Sequence, residues 1–200
     1  SKKFETHSAG VLVSGNVYAN DNNKFIAGTS NDLQIYHDGS HSRIDEVGTG
    51  NLIMKSNVFR LRSTGDEEMI IANENGNVQL YHDNGKRLET TANGITVQGG
   101  EGLQGIVNIF ADEGDDNADK SRLVINDGGN LFIQNFASGS WETNIKCVPN
   151  GAVELYHDNS KTFETLSGGN KFTGYLFATD NAKIYLGASN DLEIYHDGTN

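Results

Sequence analysis

Four copies of one tetrad hold the side chains most able to do chemistry in this chain. Leu/Ile-Tyr-His-Asp occurs as Ile35-Tyr36-His37-Asp38, Leu80-Tyr81-His82-Asp83, Leu155-Tyr156-His157-Asp158 and Ile194-Tyr195-His196-Asp197. Imidazole ligates transition metals and changes charge near neutral pH, so four histidines in one repeated setting invite a metal or anion role. The plainer reading is a structural histidine at a strand end, hydrogen-bonded to the turn backbone or to the neighbouring Asp. A second cluster, Asp112, Glu113, Asp115, Asp116 and Asp119, gathers hard oxygen ligands within eight residues and suits Ca²⁺. It lacks the Asp-x-[Asp/Asn]-x-[Asp/Asn]-Gly spacing of an EF-hand, and a solvated charge run is its plainer reading.

No nucleophile stands beside a base, and the Ser, Asp and Glu residues sit in repeated contexts, which argues against an active site. The tetrad tyrosines Tyr36, Tyr81, Tyr156 and Tyr195 could form a carbohydrate-binding strip, but covering a neighbouring strand is role enough for them. The single cysteine, Cys147, cannot form an intrachain disulfide and reads as a small buried hydrophobe.

The elements that must position these groups are short strands. Apolar residues alternate with polar ones around Leu33/Ile35, Ile53 (flanked by Leu52 and Met54), Phe59/Leu61, Val78/Leu80, Ile95/Val97, Val107/Ile109, Leu123/Ile125, Leu131/Ile133, Val153/Leu155, Ile184/Leu186 and Leu192/Ile194. Period two over such runs predicts β-strands. Between them stand Asp-Gly, Asn-Gly and Gly-Gly pairs, including 38–39, 75–76, 84–85, 128–129 and 150–151, the residues that reach positive φ in tight turns. With 24 Gly, one Pro and a strand about every ten residues, essentially no helix is expected.

Strands this short need partners. The thin, one-sided apolar stripe predicts three copies of the chain sharing one core along an axis, which also removes exposed sheet edges. The fold expectation is therefore all-β, an elongated homotrimeric fibre of the intertwined triple β-helix or β-prism type, with a single-chain β-solenoid as the alternative. In each tetrad Leu/Ile and His share one face, and Tyr and Asp take the other. In a trimer His37, His82, His157 and His196 would then form rings near the axis, able to hold a metal or an anion. No other cofactor is expected.

Self-comparison reveals a longer register. Residues 1–41 align without a gap on 160–200, with 22 of 41 positions identical. Both ends of the sequence fall inside a motif, so the chain reads as an excised length of a longer protein. Three divisions follow: hairpin units over 1–98, an insert-type unit carrying the acidic loop over 99–150, and hairpin units restarting the register over 151–200.

The segments Val78 to Thr91 and Val153 to Thr165, each leading to a strand such as Gly94 to Gly99, resemble the repeats of tail-fibre and virion structural proteins of marine phages, notably cyanophages. Ile109 to Lys120, with Asn135 and Ser138 to Asn144, is similar to the insert those proteins carry between hairpins. Leu33 to Gly39, followed by Ser42 to Ile44 and Gly48 to Leu52, resembles their second hairpin type. The resemblance covers most of the chain. It implies a rod-shaped homotrimer in the virion, outside the cell, joined to other tail or fibre proteins and holding a host-receptor-binding tip that lies elsewhere in the full protein. It brings no catalytic residues. Axial metal in such fibres usually uses a His-x-His pair, and His37-x-x-x-His41 is not that motif.

Net charge of −12 spread along the chain disfavours nucleic acid, and no run nears the ~18 apolar residues of a membrane span. Two rival functions remain. A secreted bacterial adhesin or extracellular fibre would carry a signal peptide or surface anchor in its full gene. A glycan-cleaving tailspike, with Glu89 or Glu164 beside an Asp, would release reducing sugar from host polysaccharide.

Overall fold

A computed structural model describes residues 4–199. Among them are nineteen strands and one 3-10 turn, Asn117–Asp119, with no α-helix. The chain forms two compact units, Ser1–Ser56 and Asn57–Asn200. The first holds a hairpin of β1 (Phe4–His7) and β2 (Gly10–Val13) and a three-stranded sheet of β3 (Phe25–Ala27), β4 (Leu33–His37) and β5 (Ser42–Glu46).

In the second unit β6 (Val58–Arg62), β7 (Glu68–Asn73), β8 (Val78–His82), β9 (Gly85–Thr91) and β10 (Gly94–Val97) make a five-stranded sheet. A seven-stranded sheet follows. It comprises β11 (Gly105–Phe110), β12 (Lys120–Ile125), β13 (Leu131–Asn135), β14 (Glu142–Cys147), β15 (Val153–His157), β16 (Ser160–Leu166) and β17 (Gly169–Phe172). A last hairpin joins β18 (Ile184–Leu186) and β19 (Leu192–Ile194). Every sheet is an antiparallel meander in which each strand pairs with its neighbours along the chain, and none closes into a barrel.

Turn chemistry sets this order. Asp83 and Asn84 both have positive φ, 53° and 54°, and Asp158 and Asn159 repeat this at 50° and 56°. Two left-handed central residues match the twist of a two-residue hairpin, a conformation Asp and Asn tolerate. The turn falls one residue before the expected Asn84-Gly85 pair, and Gly85 opens β9 opposite His82.

The structure repeats as the sequence does. Phe25 pairs with Ile35, and Ile184 with Ile194, at the same offset of 159. A second repeat has an offset of 75. It carries β7–β10 onto β14–β17, with a bulge after Leu80 and again after Leu155. The insert therefore adds β11, β12 and the loop between them to a five-stranded unit already present as β6–β10.

Two expectations change. The seven-stranded sheet runs across residue 150, because β14 pairs with β15, so insert and following hairpins form one sheet. The run Leu52-Ile53-Met54 forms no strand, since three adjacent apolar residues have no one-sided alternation and no neighbour pairs with them. The two units divide at 56–57, and within the second the sheets break between β10 and β11 and between β17 and β18.

Very little is buried. Ile71 and Val124 are the only buried apolar side chains among the described residues. Accessible surface totals 15307 Å², against about 9,200 Å² for a compact folded chain of this mass. Much apolar area still faces water.

Candidate functional site

Cross-strand register sorts the side chains of each sheet into two faces. In the seven-stranded sheet one row reads Val107, Leu123, Ile133, Ile145, Leu155, Phe163, Phe172, one residue per strand. At ~4.8 Å per strand this apolar row is roughly 29 Å long. In the five-stranded sheet the equivalent row is Leu61, Ile70, Leu80, Leu88, Val97. In the three-stranded sheet it is Phe25, Ile35, Ile44. Here a groove of about 470 Å³ opens, lined by Val17, Phe25, Ile35, His37 and Ile44 among others.

These apolar rows lie open. Leu80 is 40% exposed and Leu155 is 39% exposed, whereas Glu154, between Val153 and Leu155, is 8% exposed. Within one chain, then, the tyrosine face is the better covered of the two. Long side chains on the polar face lie along the sheet and cover one another, while no described residue covers the apolar face to the same extent.

The polar cover is a ladder of ion pairs and tyrosine hydroxyls. Glu154 accepts from Tyr156 Oη at 2.6 Å, and Lys161 Nζ and Lys146 Nζ lie 3.0 and 3.2 Å away. The Tyr156 hydroxyl, then Lys161 and Lys146, hold its pKa down to about 2 despite burial. Lys161 also pairs with Glu164, which Lys171 approaches at 3.2 Å. Lys161, reached by Glu164 and then Glu154, is pushed up from its ordinary value. In the other sheets Lys86 holds Glu89 at 2.7 Å, Arg60 and Arg62 converge on Glu68, and Tyr36 donates to Asp45 at 2.9 Å. Tyr81 donates to Gln79 Oε1 at 2.6 Å. The tyrosine hydroxyls at positions 36, 81 and 156 are therefore partnered, and the rings are half-buried. Tyr195 remains exposed, with Lys183 Nζ 4.7 Å from its ring centre.

The four histidines divide into two pairs. His37 Nδ1 lies 3.1 Å from the Gly39 N–H and 3.1 Å from Asp21 Oδ1. At the 159 offset His196 Nδ1 lies 3.2 Å from Gly198 N and 3.0 Å from Asp180 Oδ1. One nitrogen cannot serve both partners at once: unprotonated it accepts from glycine, and protonated it donates to aspartate. Both states satisfy a structural histidine at a turn. His82 and His157 instead end strands at the two-residue turns, opposite Gly85 and Ser160. No histidine joins three or more ligating groups among the described residues.

The tetrad aspartates were expected to share the tyrosine face, but they belong to the turns. Asp38 Oδ1 accepts the Ser40 and His41 N–H groups, and Arg43 pairs with its other oxygen. Arg43 first, then those two N–H groups, holds the carboxyl well below its usual range.

The acidic residues lie in the β11–β12 loop, closed by the Ala111 N–H donating to Asp119 O at 2.9 Å. The loop brings together Asp112, Glu113 and Asp115, and separately Asp115, Asp116 and Asp119, with oxygens within 4.8 Å of one another in each group. Either trio could hold a divalent cation, and the exposed position also suits plain solvation. Cys147 sits in the apolar-side row between Leu131 and Val153, half-buried.

Sequence reasoning placed Asn84 in a turn but missed what the turn asparagines bind. Asn84 Oδ1 accepts the Glu68 N–H at 2.9 Å and Asn159 Oδ1 accepts the Thr143 N–H at 2.8 Å, each tying a turn to a third strand. The signal available was Asp-Asn recurring at an offset of 75. Compared with known proteins, the chain matches no family model, no curated protein and no solved structure.

Proposed function

We propose that this chain is a length of shaft from a phage tail fibre, in which three identical chains turn their apolar rows inward. The rod links virion tail proteins to a host-receptor-binding part outside this segment, and its role is mechanical rather than catalytic.

The observation that carries the reading is the open apolar row beside a polar face covered by its own ion pairs. A face of this size left in water favours association, each Å² buried contributing about 25 cal/mol. The surface in excess of a compact chain, about 6,000 Å², is ample for two large interfaces per chain, which run to thousands of Å² in obligate assemblies. Antiparallel pairing between chain neighbours favours a β-prism over its alternatives. Each chain completes its own sheets, so association needs side-chain packing alone, whereas a solenoid stacks successive coils in parallel. Charge of −12 per chain keeps such rods apart in solution.

Sedimentation equilibrium tests this. The protein is expected at three times the chain mass, and Ile35→Asp or Leu80→Asp, each placing a carboxylate in an apolar row, is expected to shift it toward monomer and lower its melting temperature. Unchanged sedimentation and melting in both variants would sink the shared-core reading.

A further inference from the structure

The unrepeated part of the molecule carries a feature the shaft role leaves unused. On the polar face of β12 two cations, Lys120 and Arg122, stand over aromatic rings instead of pairing with acids. Arg122 lies 4.0 Å from the ring centre of Trp141 and donates Nε to Gln134 Oε1 at 2.8 Å. Its Nη atoms have no protein partner among the described residues. Lys120 stands 5.8 Å from the Phe136 ring centre, and Phe136 and Trp141 are 5.0 Å apart with rings tilted by 56°. Phe110, opposite Lys120 in the register, extends this strip and is 47% exposed.

Elsewhere on this sheet Lys146, Lys161 and Lys171 are each matched to a carboxylate. Neither Lys120 nor Arg122 has a carboxylate within ion-pair reach among the described residues, in a chain with 27 acidic and 15 basic residues. Burial alone lowers the Arg122 pKa, with no charged neighbour contributing. A half-buried guanidinium whose outer donors are not taken by the protein is placed to give two parallel hydrogen bonds to an anion.

We propose that this strip is a binding site for a saccharide bearing a carboxylate, its pyranose ring laid on Phe136 and Trp141 and its carboxylate held by Arg122 and Lys120. A planar guanidinium meets a carboxylate with two parallel hydrogen bonds, and aromatic rings offer the flat apolar surface that a sugar ring's C–H face fits. One charge per sugar suits the site better than a nucleic acid or a sulfated polymer. The acidic loop ends at Asp119, next to Lys120, and with the chain's net charge it repels a dense polyanion. The strip lies opposite the apolar row, so it stays open whether or not the chains associate.

Trp141 is the only tryptophan and reports on its own site. The full chain is titrated with trigalacturonic acid, maltotriose and sodium sulfate while Trp141 emission is followed. Saturable change with trigalacturonic acid is expected, with maltotriose and sulfate at least about tenfold weaker, the equivalent of ~1.4 kcal/mol. Arg122→Gln is expected to weaken trigalacturonate binding about tenfold or more, and Lys120→Gln, a smaller change, to weaken it with unaltered far-UV circular dichroism. The proposal is overturned by no saturable response below about 10 mM. It is equally overturned by equal affinity for maltotriose or sulfate, or by wild-type affinity in whichever variants stay folded.

Discussion

Asn159 offers a test of the turn reasoning in which two substitutions at one position separate two physical effects. Its backbone is left-handed at φ 56°, and its Oδ1 accepts the Thr143 N–H at 2.8 Å. Asn159→Gly keeps the turn conformation open and deletes the bond, costing about 0.5–1.5 kcal/mol for the hydrogen bond. Asn159→Ala deletes the same bond and costs a further ~1–2 kcal/mol for a left-handed Cβ, a cost that asparagine's short polar side chain largely offsets by bonding locally. For a chain of this size a loss of 1 kcal/mol lowers the melting temperature by about 2–4 °C. The alanine variant is therefore expected to melt roughly 3–14 °C below the unmutated protein, and the glycine variant between the two. Asn84, at φ 54° and bonded to Glu68 N–H at 2.9 Å, should give the same order. Because the two turns lie in different sheets, the double alanine variant should show the sum of both losses. Calorimetry at one protein concentration reads all of these. An alanine variant as stable as the glycine variant at both positions would refute the assignment of strain to these turns.

Three further outcomes are expected. Glu154 has its folded pKa depressed to about 2 from an ordinary 4.5, so its contribution is present above pH 4.5 and drains away as pH falls through about 2. The stability gap between wild type and Glu154→Gln in urea melts should thus be widest near neutral pH and shrink on acidification, and a gap independent of pH would contradict the ladder. Cys147, in the apolar-side row, should react slowly with a thiol reagent in the associated protein and faster in Leu80→Asp, with equal rates counting against burial by neighbouring chains. Gly28 has φ 94° and an added Cβ would collide with the Asp32 carboxylate, so Gly28→Ala should lower the melting temperature, read by calorimetry.

Alternation made the strands legible wherever two apolar residues bracket a polar one, as at Leu33/Ile35 and Val153/Leu155. It could not show β9, whose Gly85-Lys86-Arg87-Leu88-Glu89-Thr90-Thr91 holds one large apolar residue and is a strand because the turn at Asp83-Asn84 folds it onto β8. Parity placed Tyr and Leu on opposite faces correctly but could not say which face a single chain covers. That depends on reach: Lys146, Lys161 and Tyr156 extend over Glu154, while Leu155 and Ile133 have no longer neighbour to shield them. The partners of His37 and Arg122 were also hidden. Asp21 and Trp141 come from 16 and 19 positions away, distances that only the strand register converts into contact.

Neighbour-only pairing has a consequence for how the proposed rod would bear load. In a fibre whose strands lie across its axis, tension runs along the direction of the backbone hydrogen bonds. It meets them rung by rung at whichever strand edge is pulled, so a lone meander peels hairpin by hairpin at little force. Resistance must then come from side chains locked between chains, since one sheet cannot lengthen unless the facing rows slide as well. Tensile strength would reside in Leu155 and its row rather than in the ladder of hydrogen bonds, and the first substitution to weaken the rod would leave every β-strand intact.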